Sequence, residues 1–281
     1  MTAIPKDLGD QVAAALREDV GTGDVTARLV PDKQLARGRV ITREEAVVCG
    51  QPWVDETFRR LDPSIQIRWH ASDGDRVRAN QVVFEIHGPA RAVLTGERTS
   101  LNFLQMLSGV ATQTRAFVDA VAGTGCTIID TRKTLPGLRT AQKYAVRCGG
   151  AQNHRIGLFD MVLIKENHIA AAGSIASAIA AGKRASSGLK IEVEVESLAG
   201  LDEALSAGPD IVLLDNFNNA DMAKAVKTTR ARTTTVKLEA SGNVTLDTVR
   251  SIADTGVDYI SVGSLTKHVH ATDLSTRFDF S

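Results

Sequence analysis

Six short strand-like runs, with alanine-rich helical stretches between them, fill the second half of the chain and limit its fold more than any other feature. The runs lie at residues 128–129, 161–164, 191–195, 211–214, 236–239 and 259–262. Helical stretches fit at 173–183, 198–207, 220–230 and 246–255. Such alternation predicts a parallel sheet, open or closed. Six units over roughly 160 residues are too few for an eight-unit barrel, which needs about 200 residues. We therefore predict an α/β fold with an incomplete barrel of six or seven strands.

The first part of the chain has a different, period-two pattern. Strand-like runs lie at 38–42, 46–50, 65–69 and 82–88, and Ile65, Ile67 and Trp69 alternate with polar residues. This pattern predicts a small antiparallel sheet with a few helices. A helix then begins near Thr95, which is a plausible N-cap. The change of pattern predicts domains at 1–110 and 111–270, with residues 271–281 able to pack on the first.

The charge balance argues against a general polyanion-binding surface. Lys and Arg number 33, Asp and Glu also number 33, and the pI is near 7, so any basic patch is local and we expect no nucleic-acid or membrane partner. The three cysteines form no C-x-x-C pair, which fits a reducing compartment. The chain shows neither an apolar leader nor an apolar run near the ~20 residues that span a bilayer. We expect a cytoplasmic protein.

The segment DTRKTLPG at 130–137 places two cations where the first strand of the alternating part becomes a loop. Arg132 offers a planar fork for carboxylate or phosphate, and Lys133 offers a compact charge. The following helix carries Arg139, Lys143 and Arg147 on one face, a stripe that is more often solvated. A single Arg-Lys pair would also be read as a solvated loop. Further charged groups at later strand ends favour a site for an anionic ligand.

The later strand ends supply complementary groups. Lys165 follows the second strand, Glu192, Glu194 and Glu196 alternate along the third, and Asp215 ends the fourth. An exposed strand face is the simpler interpretation of the three glutamates, but the flanking isoleucine and valines favour burial. Small loops follow the last two strands, and they contain Ser241, Gly242, Gly263 and Ser264.

This arrangement predicts a ligand with a phosphate, further anionic groups and a hard cation. Backbone N–H groups in small loops at helix N-termini bind phosphate, and barrel phosphate sites often follow the last two strands. Mg²⁺ is usually held by one or two carboxylates together with substrate phosphates. Glu194 and Asp215 are therefore candidate magnesium ligands, although either can instead hold a ribose hydroxyl.

Six motifs, in the same order, resemble those of the quinolinate phosphoribosyltransferase family. They are DTRKTLPG at 130–137, GGAQNHR at 149–155, LIKENH at 163–168, EVEVE at 192–196, LLDNF at 213–217 and LEASG at 238–242. The resemblance runs from residue 18 to residue 266. It implies an N-terminal α/β sandwich domain before the incomplete barrel, and a homodimer, or a higher oligomer, with shared active sites. It also implies that quinolinate and phosphoribosyl pyrophosphate react to nicotinate mononucleotide, pyrophosphate and carbon dioxide, a step of de novo NAD biosynthesis.

The resemblance also implies roles for individual residues. Arg98 would reach into the neighbouring subunit's site. The two quinolinate carboxylates would be held by Arg98, Arg132, His154, Arg155 and Lys165. Lys133, with Lys165 nearby, would face the pyrophosphate, and Glu194 and Asp215 would contact the ribose or Mg²⁺. Catalysis would thus depend on Lys133, Lys165, Glu194 and Asp215. The 5-phosphate would be held by Ser241, Gly242, Gly263 and Ser264.

Three alternatives remain open at the level of the sequence. One is a related phosphoribosyltransferase that acts on nicotinate or another acidic base. The second is a Schiff-base aldolase barrel that uses Lys165, since a strand-end lysine suits that chemistry. The third is a non-catalytic phosphate sensor. The acidic pair Glu194 and Asp215 argues against a sensor, because a pure anion binder gains nothing from carboxylates.

Overall fold

The structure is a computed structural model that describes residues 3–186 and 188–280. Its helices are α1 (Leu8–Val20), α2 (Gln51–Leu61), α3 (Ala90–Ala120), α4 (Arg139–Cys148), α5 (Glu166–Ala172), α6 (Ile175–Ala185), α7 (Leu198–Ala207), α8 (Asn219–Arg232), α9 (Leu246–Ala253) and α10 (Ser264–Lys267). Its strands are β1 (Leu35–Thr42), β2 (Ala46–Val47), β3 (Gln66–Trp69), β4 (Arg76–Val77), β5 (Val82–Pro89), β6 (Thr127–Ile129), β7 (Val162–Ile164), β8 (Ile191–Val195), β9 (Ile211–Asp215), β10 (Lys237–Ser241), β11 (Tyr259–Ser261) and β12 (Leu274–Phe280). In the described ranges, no helix has the length and hydropathy of a membrane span.

The chain divides into two compact units. The first comprises Met1–Arg115, Thr134–Gly150 and Ser264–Ser281, and the second comprises Ala116–Lys133 and Ala151–Gly263. Helix α4 belongs to the first unit although it follows residue 110, and the last strand, within the segment 271–281, belongs to the first unit as well.

The first unit contains a four-stranded antiparallel sheet in the order β12-β1-β5-β3. On β1, Ala36, Gly38 and Val40 are buried while Arg37 and Arg39 are exposed, so the strand alternates with period two. A Cβ atom at Gly38 would lie 2.6 Å from the ring of Phe278 on β12, which explains the glycine. The predicted antiparallel sheet is confirmed.

Helix α3 begins earlier than its sequence pattern indicates. The prediction that Thr95 is its N-cap is wrong, because the helix starts at Ala90 and Thr95 lies inside it. The Thr95 hydroxyl contacts the backbone oxygen of Arg91 at 2.8 Å, a bond that satisfies a helical threonine one turn back. Leu101, Leu104 and Leu107 are buried, as their spacing predicts.

Helix α4 is embedded in the first unit rather than solvated. Lys143, in the middle of the predicted cationic stripe, is only 1% exposed, and Arg139 and Arg147 are half-buried. The next residue, Tyr144, is also buried and donates from its hydroxyl to Asp73 Oδ2 at 2.7 Å. The solvated interpretation of this stripe is therefore wrong, since residues 141–146 are all buried and no face of that segment is left for water.

The second unit contains a six-stranded parallel sheet in the order β6-β11-β10-β9-β8-β7. All six predicted strands are confirmed, and the apolar part of β9 is buried throughout, as expected when both faces of a parallel sheet are covered. Among the described residues no ladder joins β6 to β7. Gln152 forms an isolated parallel bridge with Ile129 beside β6. The barrel is incomplete, as predicted.

Candidate active site

The carboxyl ends of parallel strands meet at one edge of a sheet, and a cavity of about 530 Å³ opens there in the second unit. It is lined by Asp130, Thr131, Arg132, Lys133, His154, Arg155, Leu163, Lys165, Glu194, Leu213, Asp215, Glu239, Ser241 and Ser261. This size fits a small-molecule site. The structure therefore brings together eight of the predicted site residues, namely Arg132, Lys133, His154, Arg155, Lys165, Glu194, Asp215 and Ser241.

Asp130 organises one side of this cavity. Its side chain is fully buried at the end of β6, accepts from Asn153 Nδ2 at 2.6 Å and accepts from the backbone N–H of His154 at 2.9 Å. Hydrogen bonds to a carboxylate are strong and directional. Asp130 thus fixes the segment that carries His154 and Arg155, a role that its strand-end position alone does not reveal.

Two guanidinium groups, those of Arg132 and Arg155, line the cavity, and Arg155 has Glu192 and Asp160 as nearby anions. The Nε atom of Arg132 is buried and has no hydrogen-bond partner among the described residues. Burial, and then the nearby Arg132, lower the pKa of Arg155. Both observations describe cations that are incompletely compensated by the protein. An anionic ligand would supply the missing hydrogen bonds and charge.

Lys165 and the two predicted carboxylates form a second charged group. Lys165 Nζ lies 2.5 Å from Glu194 Oε2, with the lysine side chain 47% exposed and the glutamate 12% exposed. Burial, followed by the closeness of Glu194, raises the pKa of Asp215. Glu194 and Asp215 are therefore near enough to repel each other, and a cation or a positively charged substrate group between them would be stabilised.

His154 contacts a pair of fully buried glutamates. Its Nε2 lies 2.7 Å from Glu192 Oε2 and 3.6 Å from Glu239 Oε2. Burial raises the pKa of Glu192 to about 7. Burial, and then the neighbouring Glu192, hold the pKa of Glu239 well above its usual range. These residues were not predicted as site residues, although a period of two places Glu192 on the same strand face as Glu194, and Glu239 on that of Ser241.

The strand-end loops bring backbone close to these groups. At Gly242, which has a φ of +115°, a Cβ atom would lie 2.2 Å from Asn216 Oδ1. At Gly263 it would lie 3.0 Å from Lys133 Cδ. Side chains larger than hydrogen would therefore displace residues at or beside the cavity. Of the other predicted residues, Ser264 begins α10 and Arg98 is exposed on α3, and both belong to the first unit.

Two clusters of the described residues have donor atoms close enough to hold a metal. His154, Glu192 and Glu239 form one, and Cys49, Asp73 and Cys148 form the other. The His154 ring nitrogen already contacts Glu192. Asp73 Oδ1 accepts hydrogen bonds from the backbone N–H groups of Gly50 and Gln51 at the start of α2. Its Oδ2 accepts a hydrogen bond from the hydroxyl of Tyr144 on α4. Both carboxylate oxygens of Asp73 therefore already have protein donors.

The second unit is an incomplete parallel barrel, and its cavity combines guanidinium groups, a Lys–Glu pair and strand-end serines. These features are typical of an enzyme that takes anionic substrates. Residues 24–108 match the family model "Quinolinate phosphoribosyl transferase, N-terminal domain", and residues 110–277 match the corresponding C-terminal domain. The chain belongs to the quinolinate phosphoribosyltransferase family. The resemblance predicted from the six motifs is confirmed.

Curated relatives and a solved structure agree with this assignment. A nicotinate-nucleotide pyrophosphorylase [carboxylating] of Mycobacterium leprae is 44% identical over 94% of this chain and 95% of its own length. A probable enzyme of the same name from Bacillus subtilis is 43% identical over 92% of this chain and 89% of its own length. The structure of the nicotinate-nucleotide pyrophosphorylase from Francisella tularensis superimposes with a TM-score of 0.93 and 48% identity, covering 99% and 98% of the two chains.

Proposed function

We propose that this chain transfers the phosphoribosyl group of phosphoribosyl pyrophosphate to quinolinate and releases carbon dioxide, giving nicotinate mononucleotide and pyrophosphate. The observation that carries the proposal is one cavity in which incompletely compensated guanidinium groups face a carboxylate pair. The cations suit a dicarboxylate acceptor, and the carboxylates suit the positive charge that develops on a ribose during transfer. Membership of the family points to the same reaction and to the same two substrates.

Arg132 and Arg155 are the proposed primary ligands of the two quinolinate carboxylates. Guanidinium groups bind carboxylates bidentately, and the buried Nε of Arg132 has no protein partner within the described ranges. His154 and Lys165 line the same cavity and complete the set. Together these groups orient the pyridine nitrogen toward the ribose, which converts an encounter of two substrates into a reaction between positioned atoms.

Glu194 and Asp215 are the proposed stabilisers of the ribose. When the bond to pyrophosphate breaks, its electron pair leaves with the pyrophosphate and positive charge remains on the anomeric carbon. The two carboxylates offset this charge, while Lys133 faces the departing anion. Ser241, Gly242 and Gly263 are the proposed contacts of the 5-phosphate, and Ser264 remains a prediction from the sequence.

Glu194 and Asp215 also fit Mg²⁺, which prefers carboxylate oxygens combined with substrate phosphates. They are the residues we propose as its ligands, because two neighbouring carboxylates that repel each other gain from a cation. When bound, Mg²⁺ would neutralise part of the charge on the pyrophosphate.

Loss of carbon dioxide then needs no protein nucleophile. The positive charge on the ribosylated ring nitrogen stabilises the electron pair that stays on the adjacent ring carbon when the C–C bond to the carboxylate breaks. A proton replaces the carbon dioxide on that carbon. The chain's contribution is to hold the carboxylate in position and to exclude water.

The shared active site of a homodimer is the remaining part of the proposal. Arg98 is exposed on α3, so it is available to a neighbouring subunit. Arg98→Ala should abolish activity and leave the fold intact. Mixing it with Lys133→Ala should restore part of the activity, because each heterodimer would contain one intact site. If subunit exchange is verified and no activity returns, Arg98 does not act across an interface.

A paired-substrate assay tests the function itself. The protein is incubated with Mg²⁺ and phosphoribosyl pyrophosphate, and with either quinolinate or nicotinate, while mononucleotide and carbon dioxide are both measured. We expect product and equal amounts of carbon dioxide from quinolinate alone. Turnover of nicotinate alone would overturn the substrate and keep the reaction class.

The aldolase alternative has a separate test. Lys165 is paired with Glu194 and half-exposed, which is unlike the desolvated lysine that forms a Schiff base readily. Borohydride should therefore trap no covalent adduct of Lys165 with carbonyl substrates. A trapped adduct would restore that alternative.

A further inference from the structure

The side chain of His154 is anchored more firmly than its place in a cation-lined cavity requires. Its backbone N–H donates to Asp130, and its ring nitrogen Nε2 lies 2.7 Å from Glu192 Oε2. Glu239 Oε2 lies 3.6 Å from the same nitrogen, which is an ion-pair distance and too long for a hydrogen bond. Glu192 and Glu239 are 0% and 1% exposed, so the imidazole rests on two carboxylates that the solvent does not reach.

These carboxylates are costly to bury. Glu192 Oε1 and Glu239 Oε2 are buried, and among the described residues their hydrogen-bonding contact is with each other's carboxyl group rather than with a separate donor. A buried carboxyl group with an unsatisfied oxygen destabilises a fold, and apolar residues of similar size would often be more stable. Two buried carboxyl groups, those of Glu192 and Glu239, lie next to the ring of His154. This arrangement indicates that they contribute to the active site rather than to the stability of the fold.

We propose that Glu192, supported by Glu239, is a positioning residue that fixes the His154 imidazole for recognition of an acceptor carboxylate. The inference rests on the proposed function, since it concerns the binding of quinolinate. It assigns Glu192 no contact with substrate; its effect passes through the ring of His154.

The geometry explains why a histidine needs this support. Its short side chain has two rotatable bonds, and the hydrogen bond to Asp130 holds only the backbone. A carboxylate bound to one ring nitrogen fixes both the rotation of the ring and the position of the other nitrogen, as carboxylates do behind metal-bound histidines. Without Glu192 the ring would lose its contact at Nε2, and its orientation toward the acceptor would be less well fixed.

The central experiment replaces Glu192 and separates the two substrates. We expect Glu192→Leu to raise the KM for quinolinate about 10- to 100-fold, which corresponds to the loss of a hydrogen bond to a charged group. The KM for phosphoribosyl pyrophosphate should change less than about threefold, since His154 is not proposed to contact it. Glu192→Gln should restore most of the quinolinate affinity, because its amide oxygen can still accept from Nε2.

A double-mutant cycle shows whether Glu192 acts through His154. His154→Ala should raise the KM for quinolinate, and adding Glu192→Leu to it should have little further effect, because there is no ring left to position. Additive effects of the two substitutions would contradict the inference and assign Glu192 an independent role.

A matched control comes from the opposite edge of the same sheet. Asp258 precedes β11 and pairs with Arg230 and Lys237. Asp258→Asn should lower the Tm and leave the KM for quinolinate unchanged. Glu192→Leu should leave the Tm unchanged or raise it, and it should raise the KM for quinolinate. A Glu192→Leu protein that binds quinolinate normally would overturn the inference.

The two levels of the proposal fail in different ways. If the unaltered protein does not turn over quinolinate, the proposed function is wrong. If it does, and the Glu192→Leu protein has unchanged KM values for both substrates, only the positioning role is wrong. Should Glu192→Leu fold poorly, the Glu239→Gln and Glu192→Gln proteins keep the comparison open, with a smaller rise in the quinolinate KM expected for each.

Discussion

Two charged concave surfaces of this molecule differ in how their charges are compensated. One is the active-site cavity of the second unit. The other, which we call the outer sheet face, lies on the antiparallel sheet of the first unit and is lined by Arg37, Gly38, Arg39, Gln66, Ile67, Arg68, Glu85, Ile86, His87 and Asp279. Their volumes are similar, about 530 and 430 Å³. Size alone therefore does not distinguish a site from a surface.

On the outer sheet face, opposite charges stand next to each other in the strand register. Arg39 and Arg68 are both register partners of Glu85, and Arg37 is a register partner of Asp279. The arginines are exposed, so water reaches them, and an opposite charge stands on the neighbouring strand. In the cavity, by contrast, Arg132 has a buried nitrogen without a hydrogen-bond partner in the part of the chain that the structure describes, and two glutamates are fully buried. The active-site cavity therefore differs from the outer sheet face in having buried charged groups that the protein compensates incompletely.

The largest expected effect comes from replacing an arginine on each surface. Arg132→Ala should lower kcat/KM for quinolinate about 100-fold or more, because it removes a desolvated partner of a carboxylate. Arg39→Ala, its matched control on the outer sheet face, should stay within about twofold. Steady-state kinetics on both proteins measure the contrast, and equal losses would erase the distinction between the surfaces.

The second expected effect separates catalysis from binding inside the cavity. Glu194→Ala together with Asp215→Ala should lower kcat about 100-fold or more, since these carboxylates act when charge develops on the ribose. Quinolinate binding, measured by calorimetry, should weaken far less. A loss of quinolinate binding as large as the loss of kcat would instead make the pair part of the structure of the cavity.

The third effect is a pH dependence of stability to which Glu192, beside the cavity, should contribute. The pKa of Glu192 is raised from 4.5 to about 7 in the folded state. Between these values the unfolded chain releases a proton that the folded chain keeps, so the free energy of unfolding falls as the pH rises from about 4.5 to about 7, and then levels off.

Urea unfolding at both ends of that pH range tests this effect. Glu192→Gln should flatten the dependence by about 1–3 kcal/mol, because the amide does not titrate. An unaltered slope in Glu192→Gln would show that other groups cause the dependence.

The smallest effect is expected on the outer sheet face itself. Asp279→Asn removes one of two opposed charges in an exposed strand pair, and such pairs contribute about 0.5 kcal/mol or less. The free energy of unfolding should change by no more than that, and the change should shrink further at high salt. A loss of several kcal/mol would show that this surface is covered in the assembled protein.

The sheet of the second unit was predictable because short strand-like runs that contain Ile, Val or Leu alternate regularly with helical stretches. Once the strands are parallel, their carboxyl ends share one edge, and the positions of Arg132, Lys165 and Asp215 follow. The shared carboxyl edge of parallel strands does not predict the contact of Glu192 with Glu239. Strands β8 and β10 are not neighbours, since β9 lies between them. Their side chains meet only because the sheet curves toward a barrel.

The predictions for two individual residues, Thr95 and Lys143, were wrong because the surrounding structure outweighs the local sequence pattern. Thr95 is a residue type that often caps helix N-termini, but α3 begins five residues before it. Its hydroxyl instead donates to the backbone oxygen of Arg91, one turn back in the helix. Lys143 belongs to a charged stripe at helical spacing, which usually faces water, yet α4 is enclosed by its own unit. Neither outcome is encoded within the segment itself; each depends on what packs around it.

The pairing of β12 with β1 has a consequence for the order in which the chain is made. Arg39 and Arg277 are register partners, so a strand translated early waits for one translated near the end. Until residues 274–280 leave the ribosome, one edge of β1 presents unpaired backbone groups to other nascent chains. The six strands of the second unit lie between β1 and β12 in the sequence, so they leave the ribosome after β1 and before β12. A chain that stops shortly before residue 274 should therefore accumulate as aggregate, even though every residue of the cavity has been synthesised.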